Sequence, residues 1–424
     1  MVPLGIGIDI GTSGSRAVAM RPDFSIAATA AAPLDRFGAN GRDPAVWWAA
    51  VEATLRRLLS QIDRNAVRAI AVDGTSGTVL PIDAAGRPLA EPLMYNDKIP
   101  DAAILAAIDG AAPEASAAHG ATSGLAKALW LQRLPDVHAV LHQADWIAGQ
   151  LSGRFDVSDE NNSLKTGYDV EARRWPEWIA ATGMRMELLP AVVRPGNVTG
   201  RLTAASAGLF GLPGDVAVVA GTTDGCASFL ATGAAAAGDG VTALGSSLTI
   251  KILSDRPIFA PRYGIYSHLL GDAWLAGGAS NTGGKVLAQH FSLARIIELS
   301  ATIDPATETG LDYYPLGSPG ERFPIADPAL QPRLLPRPQS DADYLKAMLE
   351  GIAAVEALGY RRLAELGAPP LTSVRSVGGG AANAAWTAIR QRKLGVEFRP
   401  ALSDEAAAGT ARLALKGASE AGLL

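Results

Sequence analysis

Short apolar segments rich in Ala, Ile and Val alternate along the chain with longer segments in which apolar residues recur at helical spacing. The first segments, Leu4–Ile10 and Arg16–Met20, flank a glycine-rich turn and predict a hairpin. The spacing over Asp43–Ile62 predicts a helix with an N-cap aspartate and a proline at its first position. Val67–Asp73 is predicted to be the next buried strand. This order is typical of an α/β domain.

The second half of the chain repeats this outline. Asp215–Gly221 predicts a buried strand, and Val241–Lys251 predicts a hairpin around a Gly-Ser-Ser turn. Ala342–Leu366 has the pattern of a long helix, and Ser373–Val377 that of a short strand. Because the hairpin of the first half recurs, we expect two similarly built domains.

Other segments are less regular. Ala126–Leu134 predicts a helix, and we expect Asp145–Leu151 to continue that helical region. Asp156–Trp175 is polar and is expected to be irregular. Prolines and glycines cluster within Gly310–Pro338, which predicts a long surface loop. Asp404–Leu415 predicts a final helix that packs on either domain.

Length and composition indicate a globular protein with two domains. The 424 residues exceed what one core usually supports, and 48% of them are hydrophobic. We expect an N-terminal domain over residues 1–230, joined by the C-terminal helix at 404–424, and a second domain over 231–403. The sequence could form a monomer or a homodimer.

Charge and cysteine content narrow the class of partner. A formal net charge of -5 lacks the excess of positive charge that is typical of nucleic-acid binding, so a small-molecule partner is expected. The single cysteine, Cys226, excludes an internal disulfide framework and fits a reducing compartment. Because the sequence shows neither a signal region nor a long apolar run, we expect a cytoplasmic protein without membrane contact.

Three glycine-rich turns follow predicted strands, at Gly11–Gly14, Gly245–Ser247 and Gly378–Gly380. Turns of this kind present several backbone N–H groups to one anion, and together they could hold a nucleoside triphosphate. Glycine-rich turns more often only close tight hairpins, so one alone would be weak support. Their combination with acidic residues at strand ends favours nucleotide chemistry.

Other nucleotide and hydrolase motifs fail on spacing. Ile10 stands where the dinucleotide fingerprint requires a glycine. The segment before Lys285 misses the P-loop pattern by one position, and Val286 replaces its magnesium-binding hydroxyl. Gly74–Thr78 lacks the last glycine of a serine-hydrolase elbow.

Two aspartates lie at predicted strand ends. Asp9 emerges from an apolar strand beside the first glycine turn, where a carboxylate needs a partner, and we predict that it organises Mg²⁺ through waters. Capping of the turn is the alternative. Asp224 follows Asp215–Gly221, at the edge where open α/β sheets bind ligands. A kinase needs a carboxylate to accept the proton of the attacking hydroxyl, so Asp224 is the predicted base.

With these segments in place, the chain resembles the FGGY family of carbohydrate kinases nearly end to end. Gly7–Arg16 looks like the first phosphate motif of that family, and Gly245–Ser247 like the second. Ala220–Gly225 is similar to the segment that carries the catalytic base. Gly378–Asn383 resembles the adenosine motif.

The resemblance implies an α/β fold of two ribonuclease-H-like, actin-like ATPase domains with a cleft between them, and ATP and Mg²⁺ as cofactors. It implies that Asp9 organises Mg²⁺, that Thr12 approaches the γ-phosphate and that Asp224 deprotonates the sugar. The implied cofactor-binding residues are Gly11, Thr12, Gly245, Ser246, Ser247, Gly379, Gly380 and Asn383. The implied substrate-binding residues are Ser13, Gly14, Arg16, Ser76 and Asp97.

Departures from the family pattern bear on the sugar. Asp73–Gly77 stands where xylulose and glycerol kinases have a segment of the type glutamine-x-histidine/arginine-glycine. Lys98 follows Asp97 in place of the usual spacing from the acidic residue to an arginine. These features and the short length look most like the compact D-ribulose kinases of cyanobacteria and plants. The resemblance therefore implies phosphorylation of D-ribulose, with D-xylulose or another polyol or sugar as the alternative substrate. Turn formation is the alternative role of Ser76.

Two hypotheses from other classes share parts of this pattern. An actin-like nucleotide switch would have the same strands and turns but no sugar substrate. A sugar-responsive transcription regulator would need a helical DNA-reading domain, for which a first strand near Leu4 leaves no room before it.

Overall fold

The computed structural model describes residues 2–424, which form two units. The first unit extends through Ala231 and also contains His268–Gly271 and Glu405–Leu424. The second unit contains Thr232–Ser267 and Asp272–Asp404. Each unit combines a mixed β-sheet with helices, which confirms the prediction of a two-domain α/β protein.

The strands and helices follow one another along the chain in an alternating order. The strands are β1 (Leu4–Ile10), β2 (Gly14–Met20), β3 (Ile26–Pro33), β4 (Val67–Gly74), β5 (Val79–Ile82), β6 (Ala139–His142), β7 (Val157–Asp159), β8 (Ala191–Val193), β9 (Val198–Arg201), β10 (Ala217–Val219), β11 (Asp239–Leu244), β12 (Leu248–Ser254), β13 (His268–Leu270), β14 (Ala273–Ala279), β15 (Ser373–Val377) and β16 (Glu397–Phe398). The helices are α1 (Pro44–Leu59), α2 (Ala102–Ala111), α3 (Gly124–Leu131), α4 (Gln143–Ser152), α5 (Glu160–Ser163), α6 (Trp178–Ala181), α7 (Ala204–Phe210), α8 (Asp224–Ala231), α9 (Gly284–His290), α10 (Leu293–Ser300), α11 (Asp341–Glu365), α12 (Ala384–Leu394) and α13 (Ala406–Glu420).

The main sheet of the first unit has the strand order β3-β2-β1-β4-β10-β9. Strand β1 is buried along its whole length because its side chains are apolar on both faces. It pairs antiparallel with β2, which sets Asp9 opposite Arg16, and parallel with β4, which sets Asp9 beside Asp73. The register therefore brings the charged residues of three neighbouring strands together at one edge of the sheet.

Helix α1 begins where the sequence predicts. Asp43 accepts a hydrogen bond from the backbone N–H of Ala45, and Pro44 occupies the first helical position. Trp47 and Leu55 lie on the buried face of α1 and belong to the core that packs against the sheet. The sequence prediction for this helix is confirmed to within three residues at its end.

The final helix, α13, packs against β1 and α8 of the first unit. Glycines make this close approach possible. A Cβ on Gly7 would overlap the carbonyl oxygen of Ala407, and a Cβ on Gly409 would overlap that of Ala227. The C-terminal segment is thus an integral part of the first unit, although it follows the second unit in the chain.

In the second unit, the strands run in the order β14-β12-β11-β15-β16. Strand β12 is antiparallel to both β11 and β14, whereas β15 is parallel to β11. The hairpin of β11 and β12 beside a parallel strand repeats the arrangement of the first unit. Beneath it, Glu356 of α11 and Arg390 of α12 form a fully buried ion pair with an N–O distance of 2.6 Å, to which Thr242 donates a hydrogen bond.

Several local predictions are wrong. Asp145–Leu151 is helical, as predicted, but it belongs to the separate helix α4, because β6 lies between α3 and α4 and pairs through buried Leu141 with β5. Asp156–Trp175 is not irregular throughout, since it contains β7 and α5. Gly310–Pro338 has neither helix nor strand but does not lie wholly on the surface, because Tyr314 and Phe323 are buried in the core of the second unit.

Among residues 2–424, no helix combines the length and the apolar character needed to cross a membrane.

Substituting Gly409 with alanine should destabilise the protein, because the added methyl group would collide with the backbone of α8. We expect a loss of about 1–3 kcal/mol in the free energy of unfolding, the usual cost of overpacking. The matched control is Gly208→Ala at an exposed position of α7, where a Cβ meets nothing within 4 Å. That change should stabilise the helix by about 0.5–1 kcal/mol. Thermal unfolding followed by circular dichroism measures both, and equal melting temperatures for the two variants would contradict this packing.

Candidate active site

Three aspartates and one arginine of the first unit interact at one edge of its main sheet, where β1 and β4 end and β2 begins. Asp9 is 6% exposed and Asp73 is completely buried. The guanidinium of Arg16 lies 3.4 Å from Asp9 and 3.6 Å from Glu405. Arg16 therefore lies against the carboxylate that the sequence assigns to Mg²⁺, while its predicted contact with the sugar stays a prediction.

The two neighbouring carboxyl groups share a hydrogen bond and have displaced pKa values. Burial raises the pKa of Asp9. The hydrogen bond with Asp73 and the charge of Arg16 lower this pKa and offset part of that increase. Burial raises the pKa of Asp73 well above its usual range, and the charge of Asp9 raises it further. Thr410 of α13 donates its hydroxyl proton to Asp73. Of the two carboxyl groups, Asp73 is therefore the one whose neutral form is favoured more strongly.

The first glycine-rich turn is held by backbone contacts. The N–H of Gly11 donates to the carbonyl oxygen of Gly14 over 3.0 Å, and the carbonyl oxygen of Ser13 accepts from Leu34. Thr12 and Ser13 are exposed at the tip. A Cβ on Gly14 would lie 2.8 Å from the carbonyl oxygen of Ala32, so only glycine fits beside β3 without a shift. The turn is thus fixed while its two hydroxyl side chains face outward.

Asp224 begins α8, beyond the carboxyl end of β10, which is the position that the sequence predicts. Its neighbour Thr223 forms a parallel bridge with Gly74 at the end of β4. The charge of Asp224 acts on Asp9 and contributes to the raised pKa of that residue. The structure therefore places Asp224 in electrostatic range of Asp9, and its role as a base stays a prediction.

The predicted substrate residues Ser76 and Asp97 lie in two turns. The Oγ atom of Ser76 is buried and has no hydrogen-bond partner among residues 2–424. Asp97 accepts two hydrogen bonds from the guanidinium of Arg42, at 2.9 and 2.8 Å, and a third from the backbone N–H of Met94. The carboxylate of Asp97 is thus already engaged within the protein, whereas the hydroxyl of Ser76 is buried without a partner.

The second glycine-rich turn, in the second unit, packs against the start of α9. The carbonyl oxygens of Gly245 and Ser246 accept hydrogen bonds from Gly284 and Lys285, at 2.8 and 3.0 Å. The segment before Lys285 does not have the P-loop spacing, yet it supports this predicted phosphate turn. Sequence reasoning missed that contact, although two consecutive glycines before a helix were a usable signal.

A cavity of about 640 Å³ lies entirely within the second unit. Its lining includes Gly379, Gly380 and Asn383, which the sequence assigns to nucleotide binding. Apolar side chains form most of the wall, and one of them is Trp386, which follows the predicted adenosine motif. The apolar residues that sequence reasoning missed are Leu244, Leu287, Leu293, Ile296 and Ile297. Their signal was available, because Leu293, Ile296, Ile297 and Ser300 recur at helical spacing on α10.

Asn383 stabilises the wall of this cavity through both ends of its amide. The Oδ1 atom accepts from the backbone N–H of Trp386 and caps α12, while Nδ2 donates to Ser300 over 2.8 Å. A Cβ on Gly380 would lie 2.6 Å from the ring of Trp386. The glycine therefore lets the indole approach the backbone, and the asparagine joins α12 to α10.

Comparison with known proteins identifies the family. Residues 4–231 match the N-terminal domain of the FGGY family of carbohydrate kinases, and residues 235–418 match its C-terminal domain. The chain belongs to this family. It is a carbohydrate kinase, an enzyme that transfers a phosphoryl group to an alcohol group, as the sequence resemblance implied.

Relatives and solved structures agree with this assignment. The chain is 26% identical to a xylulose kinase from Escherichia coli strain K12, over 96% of this chain and 89% of the relative. It superposes on a xyloylose kinase from Brucella ovis with a TM-score of 0.86 and 25% identity, covering 98% and 91% of the two chains. A glycerol kinase with ADP from Plasmodium falciparum has the same fold, with a TM-score of 0.83, 14% identity and coverage of 99% and 90%.

Alanine at Gly380 should disturb the cavity, because its methyl group would collide with Trp386 and with Leu244. We expect a loss of about 1–3 kcal/mol in the free energy of unfolding without nucleotide, together with an altered tryptophan emission spectrum. The control is Gly379→Ala, whose added Cβ meets nothing within 4 Å. Denaturation of both variants tests this expectation, and an unaltered Gly380→Ala protein would refute the described contact.

Proposed function

We propose that this carbohydrate kinase transfers the γ-phosphate of ATP to a terminal hydroxyl of a ketopentose. The observation that carries the proposal is the arrangement of Asp9, Asp73 and Asp224 at the strand ends of the first unit. It supplies a carboxylate for a cation and a separate carboxylate for proton transfer. The relatives favour D-xylulose as the sugar, whereas the Asp73–Gly77 segment favours D-ribulose.

Asp224 is proposed to accept the proton of the sugar hydroxyl. It is half-buried, and it is aligned at the start of α8 by a 2.7 Å hydrogen bond from the N–H of Gly225 to Oδ1. A base must lie within hydrogen-bond reach of the proton that it removes, and a partly exposed carboxylate can meet an entering substrate. Asp224 would therefore increase the nucleophilicity of the attacking oxygen as the phosphoryl group is transferred.

Asp9 is proposed to hold Mg²⁺, which neutralises phosphate charge during the transfer. Asp9 fits this ion, because a carboxylate oxygen is a preferred ligand of Mg²⁺ and Asp9 stays 6% exposed at the end of its strand. Thr12 and Ser13 are exposed beside it, where their hydroxyls can contact phosphate oxygens. The turn at Gly11–Gly14 would contribute backbone N–H groups to the same end of the nucleotide.

The cavity of the second unit is proposed to bind the nucleoside. Its volume of about 640 Å³ is within the usual range of small-molecule pockets. The apolar wall can enclose the faces of a purine, while Gly379 and Gly380 allow close approach of the backbone. The turn at Gly245–Ser247 is proposed to contact the phosphates, because Ser246 is exposed.

A substrate panel tests the proposal. D-ribulose, D-xylulose, L-ribulose and glycerol are each added with ATP and Mg²⁺, and the formation of ADP is measured. We expect one ketopentose to stimulate turnover far above the sugar-free rate, and EDTA to abolish the stimulation because Mg²⁺ offsets the phosphate charge. Slow ATP hydrolysis that no sugar stimulates would reject the proposal and favour a nucleotide switch.

Replacing Asp224 with asparagine should remove the base but retain the shape of the side chain. We expect kcat with the preferred sugar to fall by about 10²- to 10⁴-fold, the usual contribution of a general base, while ATP binding is kept. The matched control is Asp215→Asn, at an exposed position of the same unit, which should keep full turnover. Steady-state kinetics and ATP titration calorimetry separate the two effects. Near-normal turnover of Asp224→Asn would show that another group accepts the proton.

A further inference from the structure

We propose that Lys127 is a positioning residue that fixes two turns of the sugar-binding region to each other. The first turn, Gly74–Thr78, contains Ser76, and the second, Met94–Asp97, contains Asp97. This inference rests on the proposed function, because it assumes that these turns contact the sugar. It concerns a residue outside the predicted site, on helix α3.

The ammonium group of Lys127 connects the two turns directly. Its Nζ atom donates to the carbonyl oxygen of Gly77 and to that of Met94, each over 2.7 Å. The two acceptors lie within three residues of the predicted sugar contacts along the chain, since Gly77 follows Ser76. A single side chain therefore sets the spacing of both turns.

A second, smaller contact connects the same turns. The hydroxyl oxygen of Thr78 accepts a hydrogen bond from the backbone N–H of Tyr95 over 3.1 Å. Within the second turn, the carbonyl oxygen of Met94 also accepts from the N–H of Asp97, whose carboxylate accepts from the N–H of Met94. A shift of the Lys127 contact would consequently move the backbone around Asp97 as well.

The burial of Lys127 indicates a requirement beyond packing. The side chain is fully buried, and taking an ammonium group out of water is costly unless it is well paired. Burial lowers its pKa to about 8; the carboxylate of Asp97 opposes this shift and the charge of Lys165 adds to it. His142 also faces this lysine and is held neutral, because burial foremost and the nearby lysine charges lower its pKa to about 3. An amine in either protonation state has two N–H groups for the two carbonyls.

The hydroxyl of Ser76 is the group of the Gly74–Thr78 turn that could bind the sugar. Its Oγ atom is buried without a partner among residues 2–424, although buried hydroxyls are normally paired. A sugar hydroxyl would satisfy it. Because hydrogen bonds to a substrate depend on distances of a few tenths of an ångström, the position of the turn decides whether this contact forms.

Lys127→Met tests the proposal, because methionine fills a similar volume without donors. We expect the KM for the preferred sugar to rise by about 10- to 100-fold, as for other small misplacements of substrate contacts, with the KM for ATP unchanged. The matched control is Lys346→Met in the second unit, which removes another buried lysine whose Nζ donates to Thr307 over 2.7 Å. That variant should keep the sugar KM of the wild type.

A purely structural role would lower the active fraction, and hence kcat, without this selective change in the sugar KM. An unchanged sugar KM in active Lys127→Met protein would therefore overturn the proposal. If that variant fails to fold, Thr78→Val removes the contact between Thr78 and the backbone of Tyr95 with little change in volume. A raised sugar KM in Thr78→Val would support the proposal, and a sugar KM equal to that of the wild type would again overturn it. Absence of sugar-stimulated turnover in the wild type would instead reject the proposed function.

Discussion

The buried contact between the carboxyl groups of Asp9 and Asp73 constrains much of the first unit. Parallel pairing of β1 with β4 sets these residues side by side, and two adjacent carboxylates in a buried place cannot both be ionised. A proton on Asp73 would remove the repulsion. The hydroxyl of Thr410 donates to Oδ2 of Asp73, whereas the buried Oδ1 accepts no hydrogen bond among residues 2–424. The cation site proposed at Asp9 therefore depends on the surroundings of its neighbour Asp73.

Thr410 reaches Asp73 only because the final helix fits closely against the sheet. Gly7 on β1 and Gly409 on α13 leave no room for a side chain at this contact. The surrounding helix surface is made of alanine, with Ala407, Ala408 and Ala411 all buried. Small residues thus bring an α-helix near enough for a short hydroxyl side chain to act on the strand ends. The last helix therefore contributes to the chemistry of the first unit through the hydrogen bond from Thr410 that this close packing allows.

The sequence predicts the parts of this arrangement that depend on local pattern. Asp9 stands near the end of one apolar segment and Asp224 shortly after another, so their positions at strand ends follow from the periodicity and the glycine turns. The partnership of Asp73 with Thr410 does not, because the two residues are 337 positions apart and no local pattern relates them. Asp73 also belongs to a glycine-rich segment that resembles an ordinary turn. Long-range register, which brings such groups together, is visible only in the folded chain.

The same limit explains why the sequence indicated neither the role of Lys127 nor the strand β6. A lysine within an apolar helix has the sequence appearance of a solvated side chain, and only the fold shows that two backbone carbonyls need its protons. The strand Ala139–His142 is short and forms because it pairs with β5. The segments on either side of it have helical composition, so the sequence pattern does not reveal the strand. Buried polar groups that make specific hydrogen bonds are thus the features that are hardest to predict from sequence. For a kinase that must recognise a small polar sugar, those groups decide the geometry of the substrate site, so substrate specificity is harder to predict than fold.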